Sequence, residues 1–247
     1  MAGIAAALQA HLDTGATTLA RAWLITRVDG VRYGFTDHDR DLSFDDVVFR
    51  ADSGLTAKAL AQSTGLSVDN TEALGALTDA TLREDEIEQG RFDSAEVVAF
   101  LVNWADVSQR WVQFCGSIGE IRRADGAFRA ELRGLTEVLN RPQGRVYQKP
   151  CTAVLGDGQC RFNLSTSGYV ASLPSEELRD RRAFVWDEIA GFDPGWFTRG
   201  RLEVLEGPAQ GLWSMIKQDY EDDGKRVIEL WEPIRGDVPS GTALRLV

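Results

Sequence analysis

Two cysteines, Cys151 and Cys160, bracket the glycine-containing stretch Pro150-Cys151-Thr152-Ala153-Val154-Leu155-Gly156-Asp157-Gly158-Gln159-Cys160. Of all the residues in this sequence, their type and spacing come nearest to metal chemistry. Thiolates projected from a glycine-rich loop suit soft metals and iron–sulfur clusters, and a Gly-Asp-Gly bend can fold one thiol back toward the other. Two thiolates alone complete neither a tetrahedral site nor a four-iron cluster, so the residues by themselves equally describe two inert loop thiols. Cys115 lies in the strand-like run WVQFCGSIGEI and reads as a small buried apolar side chain. The second chemical candidate is the polar run Thr36-Asp37-His38-Asp39-Arg40-Asp41. There His38, flanked by carboxylates, has the surroundings of a general base or a metal ligand. The same run equally describes a turn whose aspartates cap backbone amides. A cysteine hydrolase using Cys151 or Cys115 with His38 is an alternative, but neither thiol has a recognised nucleophile context. Glu84-Asp85-Glu86 lacks the spacing of an EF-hand loop and reads as a solvated helix face.

Composition narrows these options. The chain has 247 residues with 38 acidic against 27 basic side chains, 2 histidines and 3 cysteines. Two histidines leave no room for a His-rich metal site, and three cysteines do not make a disulfide framework. Residues 1–100 hold 17 acids and 8 bases, so the negative charge is concentrated in that part. Such a field repels nucleic-acid phosphates, and it suits a surface over which DNA slides rather than one that grips it. No apolar run reaches the roughly 18 residues of a membrane span, and the N-terminal MAGIAAALQAHLDTG lacks a basic leader, so the chain reads as soluble and made in the cytosol.

The elements that must position these residues are mainly strands. Ile4, Leu8 and Leu12 mark one face of a short helix over 3–13. LARAWLITRV and VRYGF, separated by Asp29-Gly30, predict a hairpin, as do the runs flanking Asp125-Gly126 and Asp222-Asp223-Gly224. Thr81 to Glu84 predicts a capping box ahead of a helix ended by Gly90, and Thr136 to Asn140 a further helical turn before Pro142. SLPSEELRDRRAF reads as a short helix or a linker within the boundary segment 164–182. The expected fold is mainly β with short helices: a domain over 1–165 and a smaller β domain over 183–247. Trp186, Phe192, Trp196, Phe197, Trp213 and Trp231 in the latter read chiefly as large side chains filling a thin core. A carbohydrate-binding groove is the alternative.

Several segments, in order along almost the whole chain, carry a family resemblance. They are Trp23 to Gly30, Gly34 to Leu42, Gly65-Leu66-Ser67-Val68-Asp69-Asn70, Gly90-Arg91-Phe92-Asp93, Ala130 to Leu135, Cys151 to Cys160, and Phe192-Asp193-Pro194-Gly195-Trp196-Phe197. Together they resemble the tail tip hub proteins of gene transfer agents and siphophages, which are similar to tail tip protein L of phage lambda. The resemblance implies a tail-tube-like β-barrel or sandwich domain and a structural, non-enzymatic role in the baseplate of a virion assembled in the host cytoplasm. Implied partners are the distal tail protein, the large central tip or fibre protein and a tail peptidase, with DNA only as transiting cargo and a homotrimer as the assembly. The resemblance also matches Cys151 and Cys160 to the first cysteine pair of a four-cysteine 4Fe–4S pattern. In the family the second pair follows the final strand. Its ligands are therefore expected beyond Val247, in a family domain cut short at its last strand.

Overall fold

A computed structural model of the protein describes residues 4–51, 70–74, 83–124, 127–134, 144, 149, 151–153 and 155–247. The chain divides into two compact units, Met1–Gly144 and Arg145–Val247. The expectation of a mainly β protein with short helices is met: each unit is built on one sheet.

In the first unit the helix α1 (Ala6–Asp13) precedes β1 (Leu19–Thr26), β2 (Arg32–Thr36), β3 (Leu42–Phe44), β4 (Val47–Arg50) and β5 (Asn70–Leu74). The helix α2 (Glu84–Glu88), β6 (Glu96–Asn103), β7 (Arg110–Ala124) and β8 (Ala127–Gly134) follow. The eight strands lie in the order β3-β4-β2-β1-β6-β7-β8-β5, with β2 and β4 parallel and every other pair antiparallel. Gly30 (φ +85°) closes the β1–β2 hairpin as the Asp-Gly pair predicts, its N–H reaching the Arg27 carbonyl at 2.9 Å. Strands β7 and β8 pair up to Ala124 and Ala127, in keeping with a hairpin there, while Asp125-Gly126 itself lies outside the described residues.

The two central strands explain their nearly unbroken apolar runs, because each is covered on both faces. On one side Trp23, Ile25, Val97 and Ala99 pack with Phe35, Phe92, Phe114 and Ile118. On the other Ala20, Ala22, Phe100 and Val102 pack with Phe44, Val47 and Phe49. The Phe44 and Phe49 rings stack at 4.0 Å and Phe100 meets both edge-on. Leu8 is the one fully buried side chain of α1, whereas Ile4 and Leu12 are half-buried. The predicted capping box is replaced: the N-cap of α2 is Arg83, with no side-chain cap, and the expected Thr81 lies outside the described residues. What anchors α2 is an ion pair. The buried Arg27 guanidinium joins Asp29, Glu86 (3.0 Å) and the Tyr33 hydroxyl (3.2 Å), and lies 5.5 Å from the Phe92 ring centre. Burial works against the charge on Arg27, but the hydrogen bonds to Asp29 and Glu86 outweigh it and raise its pKa.

The second unit holds β9 (Ala171–Pro174), β10 (Glu177–Arg179), β11 (Ala183–Trp186), β12 (Arg201–Val204), β13 (Trp213–Asp222), β14 (Lys225–Leu230) and β15 (Ala243–Leu246). Their order is β10-β11-β14-β13-β12-β15-β9, and every pairing is antiparallel. The segment expected to be a helix or linker is therefore three strands. Its alternation is thin, with Ala171, Leu173 and Leu178 facing the core, but Asp180 and Arg181 both take positive φ and turn β10 onto β11. Asp223 (φ +50°) and Gly224 (φ +74°) make the predicted tight turn between β13 and β14. The core gathers Phe184, Trp186, Phe197, Leu202, Ile216, Ile228, Leu230, Ile234, Leu244 and Leu246. The helical turn expected over 136–140 lies outside the described residues.

Candidate functional site

The cysteine loop is folded by its own aspartate. The Asp157 carboxylate accepts the amides of Gln159 (2.8 Å) and Cys160 (2.7 Å), and its carbonyl accepts the Arg161 amide at 2.8 Å. Gly156 takes φ +82°, and a side chain there would strike Leu164 within 2.7 Å, so the bend requires glycine on both counts. The loop leaves Cys151 exposed and Cys160 half-buried, both as free thiols. Two thiols are half the donors that a four-thiolate set needs. Among the described residues no group of three or more His, Cys, Asp or Glu side chains stands together to complete it.

Beside this loop the second unit presents an open cleft of about 400 Å³, lined by Leu155, Phe162, Tyr169, Trp196, Arg199 and Val247 among others. A train of rings runs along it: Phe162 meets Tyr169 edge-on at 5.3 Å, Tyr169 lies 6.1 Å from Trp196, and Trp196 lies 5.8 Å from Phe192. Trp196 sits at the end of the turn Asp193-Pro194-Gly195-Trp196, closed by its N–H to the Asp193 carbonyl at 3.1 Å. Gly195 at φ +92° supplies the left-handed position that a Pro-Gly type II turn needs. The turn sends Phe197 into the core and Trp196 outward.

The turn is held from below by a buried ion pair that the sequence reading missed. Arg226 donates to both Asp219 carboxylate oxygens, to the Phe192 carbonyl (3.1 Å) and to the Asp193 carbonyl (2.5 Å). Asp219 in turn accepts the Phe197 amide at 2.9 Å. Arg226 and Asp219 are 4% and 6% exposed, so both charges are desolvated and fully occupied by the loop and each other. The only sequence signal was two charges close to the Asp222-Asp223-Gly224 turn, where solvent exposure is the ordinary expectation.

The other candidate residues are placed as follows. His38 belongs to a capped turn: its Nδ1 accepts the Arg40 amide at 3.0 Å and lies 3.2 Å from Asp39, and its ring lies 5.1 Å from Trp104. Around it Thr36 Oγ1 donates to the Arg21 carbonyl (2.7 Å), Asp37 accepts the Arg21 amide (2.6 Å), and Asp41 accepts the Ala51 amide (3.0 Å). Cys115 is half-buried in β7 opposite Val98. The reading of the C-terminal aromatics as core holds for Trp186 and Phe197, both 1% exposed, and for the partly buried Phe192. It fails for Trp196, Trp213 and Trp231, exposed by 50%, 46% and 59%. Trp196 stands on a turn, while the Arg201 guanidinium lies 4.7 Å from the Trp213 ring centre and the Lys217 ammonium 5.8 Å from that of Trp231.

Each unit is mainly β, and the side chains of Thr36, Asp37, His38 and Asp41 are taken up by backbone groups. Comparison with known proteins identifies the class. A family profile described as "Baseplate hub protein, N-terminal attachment domain" matches residues 5–163, and one described as "Phage conserved hypothetical protein BR0599" matches residues 195–247. A chain of the solved structure "Virion of native gene transfer agent (GTA) particle" is similar at 48% identity and a TM-score of 0.88, covering 98% of this chain and 83% of that one. No curated protein matches. The chain belongs to the baseplate hub family and is a component of the virion tail. Among the described residues no helix is long and apolar enough to cross a membrane.

Proposed function

We propose that this chain is the hub at the tip of a phage-like tail, joining the ring of the distal tail protein to the large central tip protein. The observation that carries this reading is the similarity to a chain of a gene transfer agent virion along almost the whole sequence. The hub works as a homotrimer that matches a sixfold tube to a threefold tip, and a tail peptidase docks in the same assembly. The acid-rich residues 1–100 line the path of the DNA, where like charge keeps phosphates from sticking. The role is structural rather than catalytic, which the occupied Nδ1 of His38 supports. Cross-linking mass spectrometry on purified particles tests it. Cross-links from this chain to the distal tail protein and to the central tip protein are expected, and cross-links to the capsid alone overturn it.

Within that role, Cys151 and Cys160 supply two of the four thiolates of a 4Fe–4S cluster. Such a cluster would serve as a cross-link where a small β unit has little core to spare. A chain that carries the second cysteine pair, purified without air, is expected to be brown with about four irons per chain. Cys151→Ser and Cys160→Ser are each expected to lose that iron, and a colourless, iron-free parent chain refutes the assignment.

A further inference from the structure

We infer that the aromatic cleft of the second unit is a binding site for an acidic sugar, with Trp196 and Tyr169 as the stacking platforms and Arg199 as the carboxylate partner. The inference goes beyond the hub role, which stands without it. Trp196 and Tyr169 remain 50% and 48% exposed, so each still displays part of its ring to solvent beside the rings it touches. Their centroids lie 6.1 Å apart with planes inclined by 38°, so the two rings touch and together offer one bent apolar surface on which a pyranose ring can lie. The C–H face of a pyranose carries a slight positive charge that suits the negative face of an aromatic ring, while its hydroxyls stay in water at an open rim. An apolar peptide anchor would instead need an enclosed pocket.

Charge selects the acidic member of that class. Among the described residues that line the cleft, Arg199 alone has a charged side chain. Its guanidinium has no hydrogen-bond or ion-pair partner among the described residues. Its backbone takes φ +67°, a conformation disfavoured for a side chain of this kind, fixed by the Arg199 amide on the Ile216 carbonyl at 3.0 Å. A fork of N–H donors held at the edge of an aromatic platform matches a carboxylate on a stacked ring. The clamp supports the same reading. Arg226 and Asp219 are desolvated to fix the loop 192–197, and Trp196 is the large apolar side chain which that loop presents to solvent.

The test uses the full chain and two probes on one sugar backbone, tetragalacturonate and its uncharged, fully methyl-esterified form, read by tryptophan fluorescence and calorimetry. Tetragalacturonate is expected to bind at least tenfold more tightly than the ester. Trp196→Ala is expected to remove binding of both probes, and Arg199→Leu to erase the difference between them. Both side chains are exposed, so the thermal midpoint of each variant should match the parent, with Trp196→Phe retaining partial binding as a milder change. Failure of both probes to bind at millimolar concentration overturns the inference. So does unchanged binding in Trp196→Ala, or a preference for the acid that survives Arg199→Leu. Particles assembled with Trp196→Ala hubs should form in normal yield; loss of assembly would make Trp196 a contact between tail proteins and overturn the inference without touching the hub role.

Discussion

Replacing Arg226 by leucine isolates what the buried clamp contributes. The substitution deletes donors to two carboxylate oxygens and to the Phe192 and Asp193 carbonyls, and it leaves Asp219 as a buried anion whose remaining partner is the Phe197 amide. Removing one member of a buried ion pair costs about 3–5 kcal/mol, because the surviving charge stays desolvated. That is a large share of the roughly 5–15 kcal/mol by which a domain is stable. In a unit of this size it lowers the thermal midpoint by more than about 10 °C. Chemical denaturation of parent, Arg226→Leu, Asp219→Leu and the double variant forms a complete cycle. The double variant is expected to be more stable than Arg226→Leu, since the stranded carboxylate goes with its partner, though below the parent because the two loop carbonyls remain unpaired. Quenching of Trp196 fluorescence should rise in Arg226→Leu as the turn loosens. A loss under about 1 kcal/mol, or a double variant as unstable as the two single losses added, would show that the pair does not hold the loop.

Asp29→Asn is expected to lower stability at neutral pH. Burial pushes the Asp29 carboxyl up, but hydrogen bonds from Arg27 and the Val31 amide, with the Arg27 charge, leave it below its ordinary value of 3.8. A depressed folded value means that the contribution is complete above the ordinary range and is lost as pH falls through the folded one, so the gap between variant and parent should close in acid. A gap that is constant from neutral pH into strong acid would refute that role. Gly34→Ala places a methyl group 2.7 Å from both the Val48 carbonyl oxygen and Val47 Cγ1, between β2 and its parallel neighbour β4. It should cost on the order of 1–3 kcal/mol in the first unit, measured by urea denaturation, and an unchanged midpoint would count against the packing described.

How far the sequence could be read depends on where the information sits. The turns at Asp29-Gly30 and Asp223-Gly224 were legible because glycine marks a left-handed backbone. Those at Asp45-Asp46 and Asp180-Arg181 take the same conformation without glycine and carried no such mark. The three strands between Ala171 and Trp186 were obscured by serine, glutamate and arginine. Their cohesion comes from afar: buried Ser175 donates to the Pro239 carbonyl (2.7 Å) and accepts the Thr242 amide (3.1 Å). The cysteine loop could be found by spacing and its bend by Gly-Asp-Gly, whereas the cleft beside it assembles Leu155, Tyr169, Trp196 and Val247 from four stretches of chain. The Arg226–Asp219 pair shows the same limit, since a buried charge is visible only once its partners are in place.

The double-sided burial of β1 has a consequence for how the first sheet finds its alignment. A strand with one wet face keeps its frame because a slip of one residue would turn its apolar side chains to water. β1 lacks that safeguard, as Ala20, Ala22, Trp23 and Ile25 meet apolar surroundings whichever way they point. The ruler must then be polar. Thr36 and Asp37 grip the carbonyl and the amide of Arg21 with their side chains, and at the start of the strand Thr18 is tied to Asn103 (2.5 Å) and to His11 (3.1 Å). The polar run that looked most like a catalytic centre thus works as a vernier: it admits one setting of β1 against β2 and leaves a misaligned sheet without its hydrogen bonds.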